Sequence, residues 1–429
     1  MNFIKRILKT QLFQISLLNS VSILLRVVGG LLASKMIALF VGPAGMALAG
    51  NLRNFLGGVD VFSTLGLQNG IIKYTADNED NKERLQRILA TVCISILAAI
   101  LILSIVLLLP ASRWSGLVFN NDIQFAWVFK VLAFALPLYT GNLVFVSLLN
   151  GLGKFKQVIY LNIWGNAIGV LFSAVLIWKM GLNGALLGLI IYPALMFFFS
   201  LYYVHLRFPY LSFIKLKYFD PTLLKGLFSY SAMSVVTAVL GPIIYINIRT
   251  KISQTVSAND AGYWESLNRI ASFYLMFAST LLTLYFLPKL SVAKTNIDTR
   301  RVFLSYYRGI VPLYAVGFFI IYLLRFFIVK LLFSEAFLPM ANFFVWQLVG
   351  DFFKICSLIL GYEFFAKKMT RAFIATEILS FCVLYLSSNL LIAKYGTEGA
   401  VMAHAFTYFV YFSVLIIYFR RKINAKIGD

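Results

Sequence analysis

The chain is a succession of long apolar runs separated by short polar gaps, and that alternation decides most of what it can fold into. A run needs roughly 20 residues to cross about 30 Å of hydrocarbon at 1.5 Å per residue. Twelve runs reach that length, at about 11–40, 45–73, 88–110, 123–150, 158–179, 184–206, 223–250, 262–288, 303–329, 340–366, 372–393 and 398–419. A bilayer core holds no water to satisfy backbone N–H and C=O groups, so segments that span it this way are helices. The expectation is an all-α polytopic membrane protein of about 12 transmembrane helices with no sizeable soluble domain.

Charge then sets the orientation. The chain holds 38 Lys and Arg against 16 Asp and Glu, although 61% of it is hydrophobic. The basic residues crowd into every second gap, from Lys5, Arg6 and Lys9 through Lys73, Lys82, Arg84 and Arg87 to Arg420, Arg421, Lys422 and Lys426. The alternate gaps hold only Arg113, Lys179, Lys251, Lys330 and Lys394. Lys and Arg are retained on the cytoplasmic side of membrane proteins, so both termini are expected there. The same alternation accounts for the basic patches, and no nucleic-acid partner is expected. The first run is too long for a signal-peptide core, contains Arg26 and Lys35 and lacks a clear small-residue cleavage site, so it reads as a permanent helix. Cys93, Cys356 and Cys382 lie inside apolar runs without CxxC spacing, which fits buried small side chains better than disulfides or metal ligands. There is no G-x-x-x-x-G-K-[ST] phosphate loop, so no nucleotide hydrolysis and no resident cofactor or metal is expected.

The chain repeats itself. Arg53, Ser63-Thr64-Leu65 and Lys73 recur at an offset of 216 as Arg269, Ser279-Thr280-Leu281 and Lys289. Gly181, Gly184 and Ala185 recur at an offset of 215 as Gly396, Gly399 and Ala400, and Lys156 maps to Arg371 at the same offset. Six helices per repeat is an even number, so the two copies share one orientation and are related by a pseudo-twofold axis along the membrane normal. The expected organisation is a six-helix lobe over 1–206, a cytoplasmic linker over 207–222 with Pro209 and Pro221 as helix breakers, a second six-helix lobe over 223–419, and a basic cytoplasmic tail over 420–429. Two like lobes joined by one linker suit alternating access.

Several charges lie deep in the apolar runs. Arg26, Arg53, Arg249, Arg269 and Lys354 are the basic ones of interest, with Asp60, Glu265 and Asp351 as acids. A charge at the centre of a membrane helix costs about 2.5–3.5 kcal/mol on insertion scales, so these side chains line water or pair rather than face lipid. Glu265 and Arg269 are spaced i, i+4, and Asp351 and Lys354 i, i+3, as ion pairs on one helix would be. Buried ion pairs that hold helices together are the plain reading for any one of them. Embedded cations outnumber the acids, however, and surplus cations in a low-dielectric cavity attract an anion, with Arg suited to two-point phosphate or carboxylate binding. The site expectation is a cationic cavity of Arg26, Arg53, Arg249, Arg269 and Lys354, with Asp60, Asp351 and Glu265 in charge-pairing or coupling roles. His404 is a lone imidazole in the last run, with interhelical hydrogen bonding the simpler role and proton linkage the alternative.

Particular motifs carry a family likeness. Gly42-Pro43-Ala44-Gly45, Asn51-Leu52-Arg53, Asn69-Gly70 with Lys73-Tyr74, Gly262-Tyr263-Trp264, Leu287-Pro288-Lys289-Leu290-Ser291, and Trp346-Gln347-Leu348-Val349-Gly350-Asp351 with Lys354 and Gly361-Tyr362 together resemble the Wzx-type O-antigen and lipid III flippases. These belong to the multidrug/oligosaccharidyl-lipid/polysaccharide exporter superfamily. The likeness covers the whole chain. It implies a bacterial inner-membrane protein of two six-helix lobes that moves a polyprenyl-pyrophosphate-linked oligosaccharide from the cytoplasmic to the periplasmic leaflet for surface polysaccharide assembly. It also implies a polysaccharide polymerase and a chain-length regulator as partners, and leaves an H+ gradient, a Na+ gradient and the membrane potential open as energy sources. The charged cavity of the family maps onto Arg26, Arg53, Asp60, Arg249, Asp351 and Lys354. At Glu265 and Arg269 the chain departs from the family pattern, so that pair's role does not carry over. The competing readings are a cation-coupled drug or metabolite exporter of the same superfamily, which should have an acidic cavity, and a polymerase or glycosyltransferase, which should have a large catalytic outer loop.

Overall fold

The computed structural model describes residues 11–78, 80–207, 215–228 and 232–424, and among them there is no β-strand. Parts of the expected linker and of the basic tail, including Pro209 and Lys426, lie outside the described residues. The helices are α1 (Gln11–Phe40), α2 (Gly42–Ser63), α3 (Gln68–Ala76), α4 (Lys82–Leu108), α5 (Ala111–Val118), α6 (Ala126–Gly151), α7 (Phe155–Arg207) and α8 (Pro221–Phe228). They continue as α9 (Ala232–Thr255), α10 (Ala258–Leu281), α11 (Leu287–Val292), α12 (Asn296–Leu323), α13 (Arg325–Leu332), α14 (Phe344–Ala366), α15 (Thr370–Tyr418) and α16 (Arg420–Ile423). Nine helical stretches among the described residues are long and apolar enough to cross a membrane. The protein is an all-helical, multi-pass membrane protein.

Two of those stretches, α7 and α15, are about twice the length one crossing requires, and each is divided by a glycine. Gly181 has φ 55 and ψ −125, and Gly396 has φ 58 and ψ −137. Only glycine enters such a conformation without a Cβ penalty. Beyond Gly181 the chain doubles back. A Cβ on Gly184 would collide with the Leu176 carbonyl, one on Gly188 would meet Ser173, and one on Gly169 would collide with the Tyr192 ring. Residues eight apart in a straight helix are about 12 Å apart, so these contacts require two antiparallel helices. The second copy repeats the turn, with Gly399 against the Leu391 carbonyl. The duplicated Gly-x-x-Gly-Ala motif is therefore a tight helical hairpin: the first Gly makes the reversal and the second lets the two arms touch.

The helix starts follow local chemistry. Gly42 has φ 84, and Pro43 occupies the first turn of α2, where its missing N–H is not needed. Asn81 caps α4 by accepting from the Arg84 N–H at 3.0 Å, and Ser257 caps α10 by accepting from the Asp260 N–H at 3.1 Å. Thr295 and Asp298 form a reciprocal capping box at the start of α12. Between α10 and α11 the helix widens into a π-turn over Leu282–Phe286.

The described chain divides into two compact units, Met1–Val41 with Leu52–Ala238, and Gly42–Asn51 with Val239–Asp429. Helix α2 thus contributes its first turns to the second unit and the rest to the first. In the first unit Leu85 and Leu89 of α4, Phe145, Leu148 and Leu149 of α6, and Val158, Leu161 and Val204 of α7 close on one another. Asp220, outside the spans, caps α8 through the Thr222 N–H and hydroxyl, and these bonds hold its carboxyl below the usual carboxylate range.

Candidate functional site

The second unit contains a polar core built at three glycine contacts. Gly262 of α10 sits where a Cβ would collide with Pro43, and Gly50 of α2 sits where one would collide with the Glu265 carboxylate. The two glycines bring the start of α2 against α10, and Arg249 of α9 closes the cluster. Its Nε donates to Glu265 Oε2 at 2.8 Å, Nη2 donates to the same oxygen, and Nη1 donates to Asn51 Oδ1 at 2.9 Å. The guanidinium also lies 5.3 Å from the Trp264 ring, a favourable cation–π position. Arg249 is 2% and Glu265 4% exposed. A buried pair of this kind is held by its complete set of partners, and losing either member strands a charge.

Arg249 is expected in the cationic cavity and Glu265 in a charge-pairing or coupling role, with Glu265 and Arg269 spaced i, i+4. The structure pairs Glu265 with Arg249 of the preceding helix, an ion pair that joins α9 to α10. Arg269, half-buried, lies 4.9 Å from the Phe273 ring.

The third glycine contact is Gly350, where a Cβ would collide with His404 and crowd Ala405. That closeness of α14 and α15 carries His404 to Asp351, with Nε2 3.0 Å from Oδ1. Asp351 is fully buried. Its Oδ2 accepts from Gln347 Nε2 at 2.9 Å and from the Tyr274 hydroxyl of α10. Tyr274 in turn receives the Tyr314 hydroxyl on its backbone carbonyl at 2.9 Å, which ties α12 to the same cluster. The i, i+3 spacing of Asp351 and Lys354 does not become a salt bridge. Among the described residues the carboxylate is saturated by His404, Gln347 and Tyr274, while the Lys354 ammonium lies 4.8 Å from the Tyr408 ring. The interhelical hydrogen-bonding expectation for His404 matches this geometry. A half-buried acid sits on α15 as well, where Tyr411 donates to Glu377 Oε1 at 2.9 Å.

The first unit holds Arg26, Arg53 and Asp60. Arg26 is exposed on α1, and Arg53 and Asp60 are half-buried on α2. Asp60 Oδ1 is shielded from solvent without a hydrogen-bond partner, and the Tyr139 hydroxyl of α6 is the polar group beside its carboxyl. Sequence reasoning found the charges and missed their partners. Tyr274, Gln347, Asn51 and Tyr139 are ordinary polar residues in apolar runs, and the hints were that Gln347 shares a motif with Asp351 and Asn51 one with Arg53.

Long apolar helices, glycine hairpins and buried charge clusters define a polytopic helical membrane protein. Solved structures agree on the fold. A multidrug-resistance MATE family transporter of the MOP superfamily superposes with a TM-score of 0.79 at 14% identity, covering 92% of this chain and 94% of that one. The lipid II flippase MurJ superposes with a TM-score of 0.69 at 16% identity, covering 96% and 90%. By sequence, residues 14–294 match the polysaccharide biosynthesis protein family. The lipid III flippases of Escherichia coli (strain K12) and Shigella flexneri are each 33% identical over 404 residues, 93% of this chain and 96% of theirs. The chain belongs to the polysaccharide biosynthesis protein family and is a relative of the lipid III flippases along nearly its whole length.

Proposed function

We propose that this protein is a flippase, moving an undecaprenyl-pyrophosphate-linked oligosaccharide from the cytoplasmic to the periplasmic leaflet of a bacterial inner membrane by alternating access. The observation that carries the reading is end-to-end similarity to the lipid III flippases at 33% identity. An enterobacterial-common-antigen-type or O-antigen-type repeat unit is the substrate class, with a polysaccharide polymerase and a chain-length regulator as downstream partners. Both termini face the cytoplasm, as the basic gaps require.

The physical demands fit. A pyrophosphate carries about two negative charges, and its outward passage across an inside-negative membrane is assisted at about 2.3 kcal/mol per charge per 100 mV. Recognition needs cations that can turn to an anion. Lys354 suits this best: it sits one turn from Asp351 on α14, half-buried over Tyr408 and without a salt bridge among the described residues. Arg26, Arg53 and Arg269 are the further cations we assign to phosphate recognition. Asp60 and the Asp351–His404 pair are the groups through which an H+ or Na+ gradient would act, since their charge state alters what the neighbouring cations face.

The test is a strain lacking other flippases of this kind. Expressing this chain should move undecaprenyl-pyrophosphate-linked sugar into the outer leaflet, where an external glycosidase or lectin reaches it. Sugar that stays confined to the inner leaflet while the protein is correctly inserted would refute the assignment. Reporter fusions at Asn81 should read cytoplasm and at Asn120 and Thr397 periplasm, and reversal at any of them would break the orientation.

A further inference from the structure

One cavity is untouched by that reading, although two residues of the Leu287-Pro288-Lys289-Leu290-Ser291 motif, Pro288 and Lys289, line it. It lies between the end of α11 and the start of α12, measures about 590 Å³, and is walled by Lys289 and Val292 on one side and Asp298, Arg301 and Val302 on the other. Both helix ends are held in place. Ala293 leaves α11 with an extended backbone, φ −60 and ψ 111, and Lys367 from the end of α14 donates its ammonium to the Ala293 carbonyl. The capping box fixes the opposite wall.

The two cations are not equivalent. Lys289 Nζ donates to the Tyr285 hydroxyl at 2.5 Å and lies 3.9 Å from that ring's centroid, so its stem is braced along the helix while the ammonium keeps further donors. Arg301 is 71% exposed at its side chain, and its nearest acid is Asp298 Oδ1 at 3.8 Å. Asp298 is already engaged, since its Oδ2 accepts from the Thr295 hydroxyl at 2.7 Å and the Thr295 N–H at 3.3 Å. The Arg301–Asp298 ion pair is long and solvent-exposed, a contact of little strength, so a phosphate can compete for the guanidinium fork and bind it in two-point fashion. Between the cations Val292 is 76% exposed, an apolar surface beside charge. Apolar wall, braced lysine and weakly paired arginine together match the boundary where lipid phosphates meet acyl chains. The first copy has no cation at the matching position: at an offset of 215 or 216, Arg301 corresponds to Gln86 or Leu85.

We propose that this cavity binds the phosphate group of a membrane lipid, with Arg301 as the two-point donor and Lys289 as the point charge. The inference requires only a protein in a membrane and stands apart from the flippase reading. The shared chemistry is a lipid phosphate, which belongs to an anionic phospholipid or to a polyprenyl pyrophosphate.

Native mass spectrometry of the purified full-length protein separates the sources, titrating phosphatidylglycerol, undecaprenyl pyrophosphate and phosphate-free diacylglycerol. Lys289→Gln and Arg301→Gln should each weaken retention of phosphate-bearing lipid about tenfold, as expected for one charge-assisted hydrogen bond. Arg301→Lys should lose less, Lys156→Gln should lose nothing, and diacylglycerol retention should not move. Loss for both phosphate lipids identifies a general headgroup site. Loss for undecaprenyl pyrophosphate alone identifies a subsite for the transported lipid. Unchanged retention in both Gln variants, or an equal loss for diacylglycerol, overturns the proposal. All substituted side chains are exposed, and a thermal unfolding midpoint equal to the parent's for each variant confirms that the comparison is made on folded protein.

Discussion

The two copies of the internal repeat keep the same backbone device and differ in the chemistry built around it. At the hairpin they coincide: Gly181 and Gly396 share a left-handed conformation, and Gly184 and Gly399 press on the carbonyls of Leu176 and Leu391, which are themselves related by the repeat. In the polar core they diverge. At offsets of 215 or 216, Asp351 corresponds to Leu136 or Ala135, Gln347 to Leu132 or Val131, His404 to Leu189, and Glu265 to Ala49. The second helix of each copy differs too. The first breaks after α2 with Leu65 and Gly66 both at positive φ, whereas the second runs on through a π-turn at Leu282–Phe286. A turn that only glycine can make is constrained in both copies by sterics. The buried polar clusters have no counterpart at these positions of the first copy, so they are a property of the second copy and not of the shared backbone device. π-Turns within helices occur often at functional sites, which agrees with that asymmetry.

The largest expected effect tests whether the Arg249–Glu265 pair is structural. Arg249→Ala or Glu265→Ala alone should destabilise the second unit by about 3–5 kcal/mol, because each strands a buried charge. Arg249→Ala combined with Glu265→Ala copies the first-copy residues Ala33 and Ala49. The double variant should recover a large part of that loss in thermal unfolding measured in detergent. If the double variant is as unstable as the sum of the singles, the pair is not acting as a mutually neutralising unit.

Next come the hairpins, which should respond alike if the copies are true equivalents. Gly181→Ala and Gly396→Ala each place a Cβ in a backbone region reserved for glycine, a cost of about 1–3 kcal/mol. At Gly396 the new Cβ would also lie 3.1 Å from Val256 Cγ2, whereas at Gly181 nothing lies within 4 Å. Gly396→Ala should therefore be the worse of the two in the same unfolding assay. The reverse order would show that the turn of the first copy carries a constraint the second lacks.

At the polar core the prediction concerns function. Lys354→Gln should weaken retention of undecaprenyl pyrophosphate about tenfold, the value of one charge-assisted contact. Asp351→Asn should leave that binding near the parental level, because the carboxylate is engaged by His404, Gln347 and Tyr274 and not by Lys354, but should slow translocation. Equal loss of binding in both variants would mean that Asp351 and Lys354 work as the ion pair their spacing suggests.

What could be read from the chain alone follows from the range of the interaction. Apolar runs, the Gly-x-x-Gly-Ala repeat and the positive-inside gaps are local or periodic signals, and the all-helical fold and its repeated hairpin follow from them. Glu265 was visible as a buried charge, yet its partner Arg249 lies one helix away and Asn51, which completes the cluster, lies in a distant part of the chain. Spacing along one helix displays only i, i+3 and i, i+4 neighbours, so it suggested Lys354 as the partner of Asp351 and could not show Arg249 as a partner of Glu265. The glycines that bring α2 to α10 and α14 to α15 were seen as motif residues, but the close approaches they permit require the packed structure.

The smallest effect separates the two copies where each re-enters the membrane after its second helix. Asn81 caps α4 through a single bond to the Arg84 N–H, while Thr295 and Asp298 cap α12 reciprocally, so that two donors depend on the pair. Replacing an N-cap residue by Ala costs roughly 0.5–2 kcal/mol. Asn81→Ala should fall at the lower end. Thr295→Ala should fall at the upper end, because it removes the hydroxyl that accepts from the Asp298 N–H and also donates to the Asp298 carboxylate. Hydrogen exchange at the first turn of each helix reads this directly, with faster exchange expected at residues 296–298 of Thr295→Ala than at residues 82–84 of Asn81→Ala. Equal acceleration at both starts would show that the second bond of the capping box adds no stability, and the copies would then be alike at this point as they are at the hairpin.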